Sequence, residues 1–88
     1  MTREDREVVQ AFINHALLAL GVSNTGRGAV SAYRVKFDGR DEVLARVHKH
    51  VDPARFVDEL RTRLAEKTDY KVELRRSLPY AHIRVTKP

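Results

Sequence analysis

The sequence predicts an α+β fold in which two helices pack on one face of a small antiparallel sheet, in the order αββαββ. Two stretches, 3–20 and 53–67, repeat apolar residues at helical spacing, and each begins with a capping signal. Three others, 29–37, 70–76 and 80–86, alternate apolar with charged or polar residues, as half-buried strands do. Helices and strands in this order usually form two layers around one core.

The first helix is predicted over residues 3–20. Thr2 followed by Asp5 resembles a capping box, and Gly21 is a typical residue just beyond a helix end. The apolar residues of this helix recur at helical spacing and cover most of its circumference: Val8, Val9, Phe12, Ile13, Ala16, Leu17 and Leu20. A helix that is apolar nearly all round is covered by two layers or pairs with another copy. The sequence is therefore compatible with two alternatives, a helix covered by two layers or a homodimer that forms through helix 3–20.

The first strand is predicted over 29–37, after a glycine-rich loop at 21–28. Alternation in this strand places Tyr33, Val35 and Phe37 on one face and Arg34 and Lys36 on the other. We expect the first set to lie in the core and the two basic residues to face solvent. Asp38-Gly39 is a strong signal for a tight turn after the strand.

Residues 41–51 fit two interpretations. As a strand, the stretch places Val43, Ala45 and Val47 on the core face and completes a hairpin with the strand before it. As a helix, it has an apolar stripe and gives the order αβααββ. We favour the strand, because Asp52-Pro53 starts a new helix at once and leaves no linker for a helix at 41–51.

The second half of the chain repeats the pattern of one helix and two strands. Helix 53–67 has a stripe of Phe56, Val57, Leu60 and Leu64. Strands 70–76 and 80–86 then form a hairpin around a turn at 77–79. Their polar faces carry mostly basic residues: Lys71, Glu73, Arg75, His82 and Arg84.

Composition narrows the class of protein. The formal net charge is +5 and the chain has no cysteine, so disulfides and thiolate zinc sites are excluded. Residues 1–26 hold two basic and three acidic residues, and residues 27–88 hold the remaining fifteen basic and nine acidic ones. No apolar run is long enough to span a membrane. We expect residues 1–88 to form one cytoplasmic domain without membrane attachment, cofactor or metal.

A basic outer sheet face is the strongest functional signal in the sequence. Clustered charge of one sign costs stability through repulsion, and it attracts anions such as nucleic-acid phosphates. We therefore predict a nucleic-acid-binding protein, for DNA or RNA, that contacts the phosphate backbone. The predicted contacts are Arg27, Arg34, Lys36, Arg46, Lys71, Arg75, Arg76 and Arg84. The alternative is a small interaction, inhibitor or adaptor protein that docks on an acidic surface of a larger partner.

Other chemistries have weaker support in the sequence. The chain has no Trp, and its Phe residues are expected in the core, so base stacking is disfavoured. A duplex or a structured RNA is therefore favoured over a single strand. His48 and His50 would share a strand face, but neither acid nor cysteine completes a metal site beside them. The one enzymatic alternative is a metal-independent RNase that uses these histidines or His82, with Arg84 and Tyr80.

Overall fold

The helices and strands follow the predicted order αββαββ. The computed structural model describes residues 1–25, 30–48, 51–77 and 80–88, apart from the side chains at positions 37, 76, 77 and 80. The elements are α1 (Arg3–Ala19), β1 (Ala32–Phe37), β2 (Arg40–Val47), α2 (Pro53–Lys67), β3 (Lys71–Ser77) and β4 (Tyr80–Thr86). The strand interpretation of the stretch 41–51 is thus confirmed for the part that lies in β2, Arg40–Val47, and the helical alternative is wrong; residues 49–50 lie outside the described residues.

Capping hydrogen bonds define both ends of α1. The Asp5 backbone N–H donates to Thr2 Oγ1 at 3.1 Å, and the Thr2 backbone N–H donates to Asp5 Oδ2 at 2.8 Å, which completes the predicted capping box. At the other end Gly21 has φ +76°, and the Val22 N–H donates to the Leu17 carbonyl at 2.9 Å. This is a Schellman motif, which explains why the helix stops before a glycine.

The turn between β1 and β2 and the start of α2 are also determined locally. Asp38 and Gly39 have φ of +52° and +76°, which suits a tight turn matched to the twist of a hairpin. Asp52 caps α2, since its side chain accepts a hydrogen bond from the Ala54 N–H at 3.1 Å. Pro53 occupies the first turn, where its missing N–H leaves no helical hydrogen bond unmade.

The four strands form one antiparallel sheet with the order β1-β2-β4-β3. Both helices lie on one face, with α1 against β1, α2 against β3 and the two helices in contact. Most of the predicted core is confirmed as buried, in these positions: Ile13, Leu17, Val43, Val47, Phe56, Leu60, Leu64, Val72, Ile83 and Val85.

The outer surface of α1 is less covered than its apolar sequence suggests. Val9 and Ile13 are fully buried, but Val8 keeps 38% of its surface exposed and Leu18 keeps 71%. His15 on the same side is also exposed. The sheet and α2 therefore cover one side of the helix and leave an apolar strip on the other.

Candidate functional site

The sheet has one face that no helix covers, which we call the open face. In β2, the residues of one parity, Val43, Ala45 and Val47, are buried beneath the helices. Their neighbours of the other parity must point the opposite way, and cross-strand partners share a face. The register then assigns these residues to the open face: Tyr33, Val35, Arg40, Glu42, Leu44, Arg46, Lys71, Glu73, Arg75, His82, Arg84 and Thr86.

Three basic residues cross one end of the open face, and we call them the basic row. Arg46 on β2 lies opposite His82 on β4, and His82 lies opposite Arg75 on β3. Arg46 and Arg75 are exposed, and His82 is half-buried between them. Adjacent strands are about 4.8 Å apart, so the backbones of the two arginines are separated by about 10 Å. Arg46 and Arg75 are thus two exposed cationic side chains on either side of His82.

The centre of the open face holds an ion-pair cluster. Arg84 Nε donates to Glu42 Oε2 at 2.6 Å, and Arg84 Nη2 donates to Glu42 Oε1. Arg84 Nη1 is also 3.7 Å from Glu73 Oε2. Hydrogen bonds from Arg84 lower the pKa of Glu42 although its burial opposes the shift, and the Glu42 carboxylate raises the pKa of Arg84. The charge of Arg84 is therefore balanced within the sheet.

An aromatic and apolar patch lies beside the basic row, toward the β1 edge. Tyr33 lies opposite Leu44, and 43% of its surface is exposed. Val35 and Leu44 are half-buried next to it. Tyr33, Arg46 and His82 line an open concavity of about 470 Å³, together with Ser31. The concavity thus combines an aromatic ring, a guanidinium and an imidazole.

The predicted orientation of the first strand is wrong. Arg34 pairs with the fully buried Val43, so Arg34 and Lys36 lie on the helix side of the sheet, while Tyr33 and Val35 lie on the open face. The cause is that Val30 and Ala32, 1% and 4% exposed, are the residues that pack into the core. β1 is an edge strand, and both basic side chains are exposed although they lie on the helix side.

The other predicted contacts have different outcomes. Arg46, Lys71 and Arg75 are exposed on the open face, as the alternation predicts. Arg84 is on that face but bonded to Glu42 and Glu73, as described above. Arg27 lies outside the described residues, as does the side chain of Arg76, whose backbone pairs with Ala81 in β3.

Of the residues proposed for the enzymatic alternative, His82 and Arg84 lie two positions apart on β4 and share the open face. His82 belongs to the basic row, and Arg84 is paired with carboxylates. His50 and the Tyr80 side chain lie outside the described residues. Within the described ranges, no three His, Asp or Glu side chains are grouped so that they could hold a metal ion.

Sequence reasoning missed several residues of the open face, among them Tyr33, Val35 and Glu42. Tyr33 and Val35 were assigned to the core because they alternate with the basic Arg34 and Lys36, whereas Val30 and Ala32, which share the parity of Arg34, are the residues that are buried. Glu42 was missed because an acid at a strand start suggests solvent, yet it is 5% exposed. The parity that places Arg46 outward also places Glu42 outward, and this was the available signal.

The chain has no match among protein-family models, curated protein sequences or solved structures. Within the described part of the chain, neither helix is sufficiently long and apolar to cross a membrane.

Proposed function

We propose that this protein binds nucleic acid by contacting the phosphate backbone through the open face. The observation that carries the proposal is the basic row, in which Arg46 and Arg75 are exposed on either side of His82. Guanidinium groups donate paired hydrogen bonds to phosphate oxygens, and arginine remains charged at any physiological pH. Lys71, exposed on the same strand as Arg75, extends the contact along β3.

Three cationic side chains carry the proposed contact: Arg46, Lys71 and Arg75. Arg84 is not included, because its charge is balanced by Glu42 and Glu73. Arg34 and Lys36 are not included either, because they lie on the other side of the sheet. The proposed footprint is therefore smaller than the sequence suggests, and we expect moderate rather than tight binding.

Fluorescence anisotropy with labelled oligonucleotides tests the proposal. Three phosphate contacts give a slope of log affinity against log salt of about −2 on a single strand and about −3 on a duplex. Affinity should then fall about 20- to 40-fold between about 50 and 200 mM salt. The titration uses the full chain at constant pH, so that only the salt concentration changes.

Arg75→Glu is the informative variant for this proposal. We expect it to weaken binding about tenfold at low salt and to flatten the salt slope by about one contact. Arg55→Glu is the matched control, since Arg55 is exposed on α2 and the change in net charge is the same. A loss of affinity for Arg75→Glu alone supports the open face, whereas equal losses for both variants contradict it.

The alternative partner is a larger protein with an acidic surface. The present protein would dock on that surface as an inhibitor or adaptor. The same basic row would serve there, but binding would depend on the shape of the partner and less steeply on salt. Absence of binding to every oligonucleotide at low salt would overturn the nucleic-acid proposal in favour of this alternative. A cytoplasmic location, as expected from the sequence, would give access to either class of partner.

A further inference from the structure

We infer that the open face selects single-stranded nucleic acid over duplex, with an unpaired base stacked on Tyr33. This inference rests on the proposed function and adds the class of nucleic acid to it. The sequence favours a duplex because every aromatic residue with a clear pattern is expected in the core. The exposure of Tyr33 removes that reason.

Tyr33 is placed where a base could reach it. It is 43% exposed, it lies on the edge strand β1, and Leu44 is its cross-strand partner. No further strand lies beside β1 in the described part of the chain, so no strand covers Tyr33 from that edge. Leu44 and Val35 are half-buried and form an apolar floor beside it. Exposed rings of this kind stack with bases of any sequence, since every base has a π-face.

Arg46 and Arg75, the proposed phosphate contacts, lie where the backbone of a nucleotide with its base on Tyr33 would run. Arg46 is diagonal to Tyr33 across the β1–β2 pair, and both residues line the same concavity with His82. A nucleotide with its base on the Tyr33 ring would therefore have its phosphate next to Arg46. The chain of phosphates could then follow the basic row across β4 to Arg75 on β3, a backbone distance of about 14 Å from β1.

The charges on the open face are unfavourable for a duplex. Paired bases keep their π-faces inside the stack, so a duplex cannot use the Tyr33 ring. Its regularly spaced phosphates would also meet the central ion-pair cluster, where Glu42 and Glu73 neutralise Arg84 and half of the Glu73 side chain is exposed, at 55%. A flexible single strand can bend along the basic row and avoid the carboxylates.

The test compares a labelled single strand with the duplex of the same sequence, as both DNA and RNA, by fluorescence anisotropy at one salt concentration. We expect the single strand to bind at least about tenfold more tightly than the duplex. Tyr33→Ala should weaken single-strand binding by about 5- to 150-fold, the range observed for loss of one stacked base. Tyr33→Phe keeps the ring and should bind like the wild type.

Tyr33→Leu separates stacking from simple apolar contact. The variant keeps an apolar side chain at this exposed position but has no π-face, so we expect it to bind as weakly as Tyr33→Ala. The chain has three tyrosines and no tryptophan, so tyrosine emission reports on the complex directly. Single-strand binding should quench part of this emission in the wild type, and the quenched part should be absent in Tyr33→Phe. Circular dichroism of each variant verifies that the fold is retained.

The outcomes of this test distinguish the inference from the proposed function. If single strand and duplex bind equally and Tyr33→Ala has no effect, while Arg75→Glu weakens both, the inference is wrong and the proposed function stands. If no oligonucleotide binds even at low salt, both are wrong. If Tyr33→Leu binds like the wild type, the contact is apolar and stacking is refuted. Preference for the single strand together with the loss in Tyr33→Ala and Tyr33→Leu supports the inference.

Discussion

The substitution Tyr70→Phe measures how much the hydrogen bond from the Tyr70 hydroxyl to the Asp5 carboxylate contributes to stability. Asp5 is 8% exposed, and it accepts hydrogen bonds from the Tyr70 hydroxyl and from the Thr2 N–H. Lys87 Nζ lies 3.6 Å from Asp5 Oδ1. The hydrogen bond from Tyr70, followed by that from Thr2, holds the pKa of Asp5 far below its usual value. Burial, followed by the bond to Asp5, raises the pKa of Tyr70 to about 12.

Removing the hydroxyl should lower the free energy of unfolding by about 1.5–2 kcal/mol. A hydrogen bond to a charged group contributes about 1.5–3 kcal/mol, and the lower part of this range applies because the site is open to solvent near Lys87. For a domain of this size the melting temperature should fall by about 6–16 °C. Thermal and urea unfolding at neutral pH measure the change. Tyr33→Phe removes a hydroxyl from an exposed ring and is the control, with an expected shift near zero.

The effect of Tyr70→Phe should depend on pH in one direction. The pKa of Asp5 is lower in the folded state than in the unfolded state, so ionised Asp5 adds stability that is complete above about pH 5. That stability is lost as the pH falls below about 4, because the unfolded state then binds the proton. The difference between wild type and variant should shrink in acid. A variant that melts within 2 °C of the wild type at pH 7, or a difference unchanged at pH 3, would refute the reasoning.

Two further predictions concern the open face and α1. Glu42→Gln leaves Arg84 with Glu73 alone and should lower the melting temperature by about 5–10 °C. Glu42→Leu combined with Arg84→Met replaces the ion pair by apolar side chains and should restore most of the lost stability. A double variant no more stable than Glu42→Gln would contradict this. The apolar sequence of helix 3–20 fits either a cover of two layers or a homodimer. In the homodimer the exposed Val8 and Leu18 would contact the second copy, so sedimentation would show a dimer for the wild type and a monomer for Leu18→Glu. A wild-type monomer at about 100 μM would refute this dimer.

Local signals explain why the elements could be predicted from the sequence. The capping box of Thr2 and Asp5, the glycine after α1 and the Asp38-Gly39 turn act over a few residues, and the structure confirms each of them. The start of α2 at Asp52-Pro53 also decided between strand and helix for the preceding stretch. These features depend on backbone geometry that neighbouring residues determine.

The orientation of β1 and the state of Arg84 could not be predicted in this way. Which face of β1 is buried is determined by its pairing with β2, which places Arg34 opposite the buried Val43, and this pairing is long-range. Arg84 meets Glu42 only because β2 pairs with β4 in one register, between residues 42 positions apart. A shift of that register by one residue would move Glu42 to the other side of the sheet.

The strand order gives the open face a direction. In the order β1-β2-β4-β3, each half of the chain contributes one outer and one inner strand, and the inner strands β2 and β4 run antiparallel. The two halves of the sheet, β1-β2 and β4-β3, are therefore nearly equivalent in strand order, but they carry different side chains. The basic row lies at one end, and Tyr33 lies beside it on only one outer strand. A nucleic-acid strand also has a direction, 5′ to 3′, so under the proposed function its two orientations across Tyr33, Arg46 and Arg75 would make non-equivalent contacts.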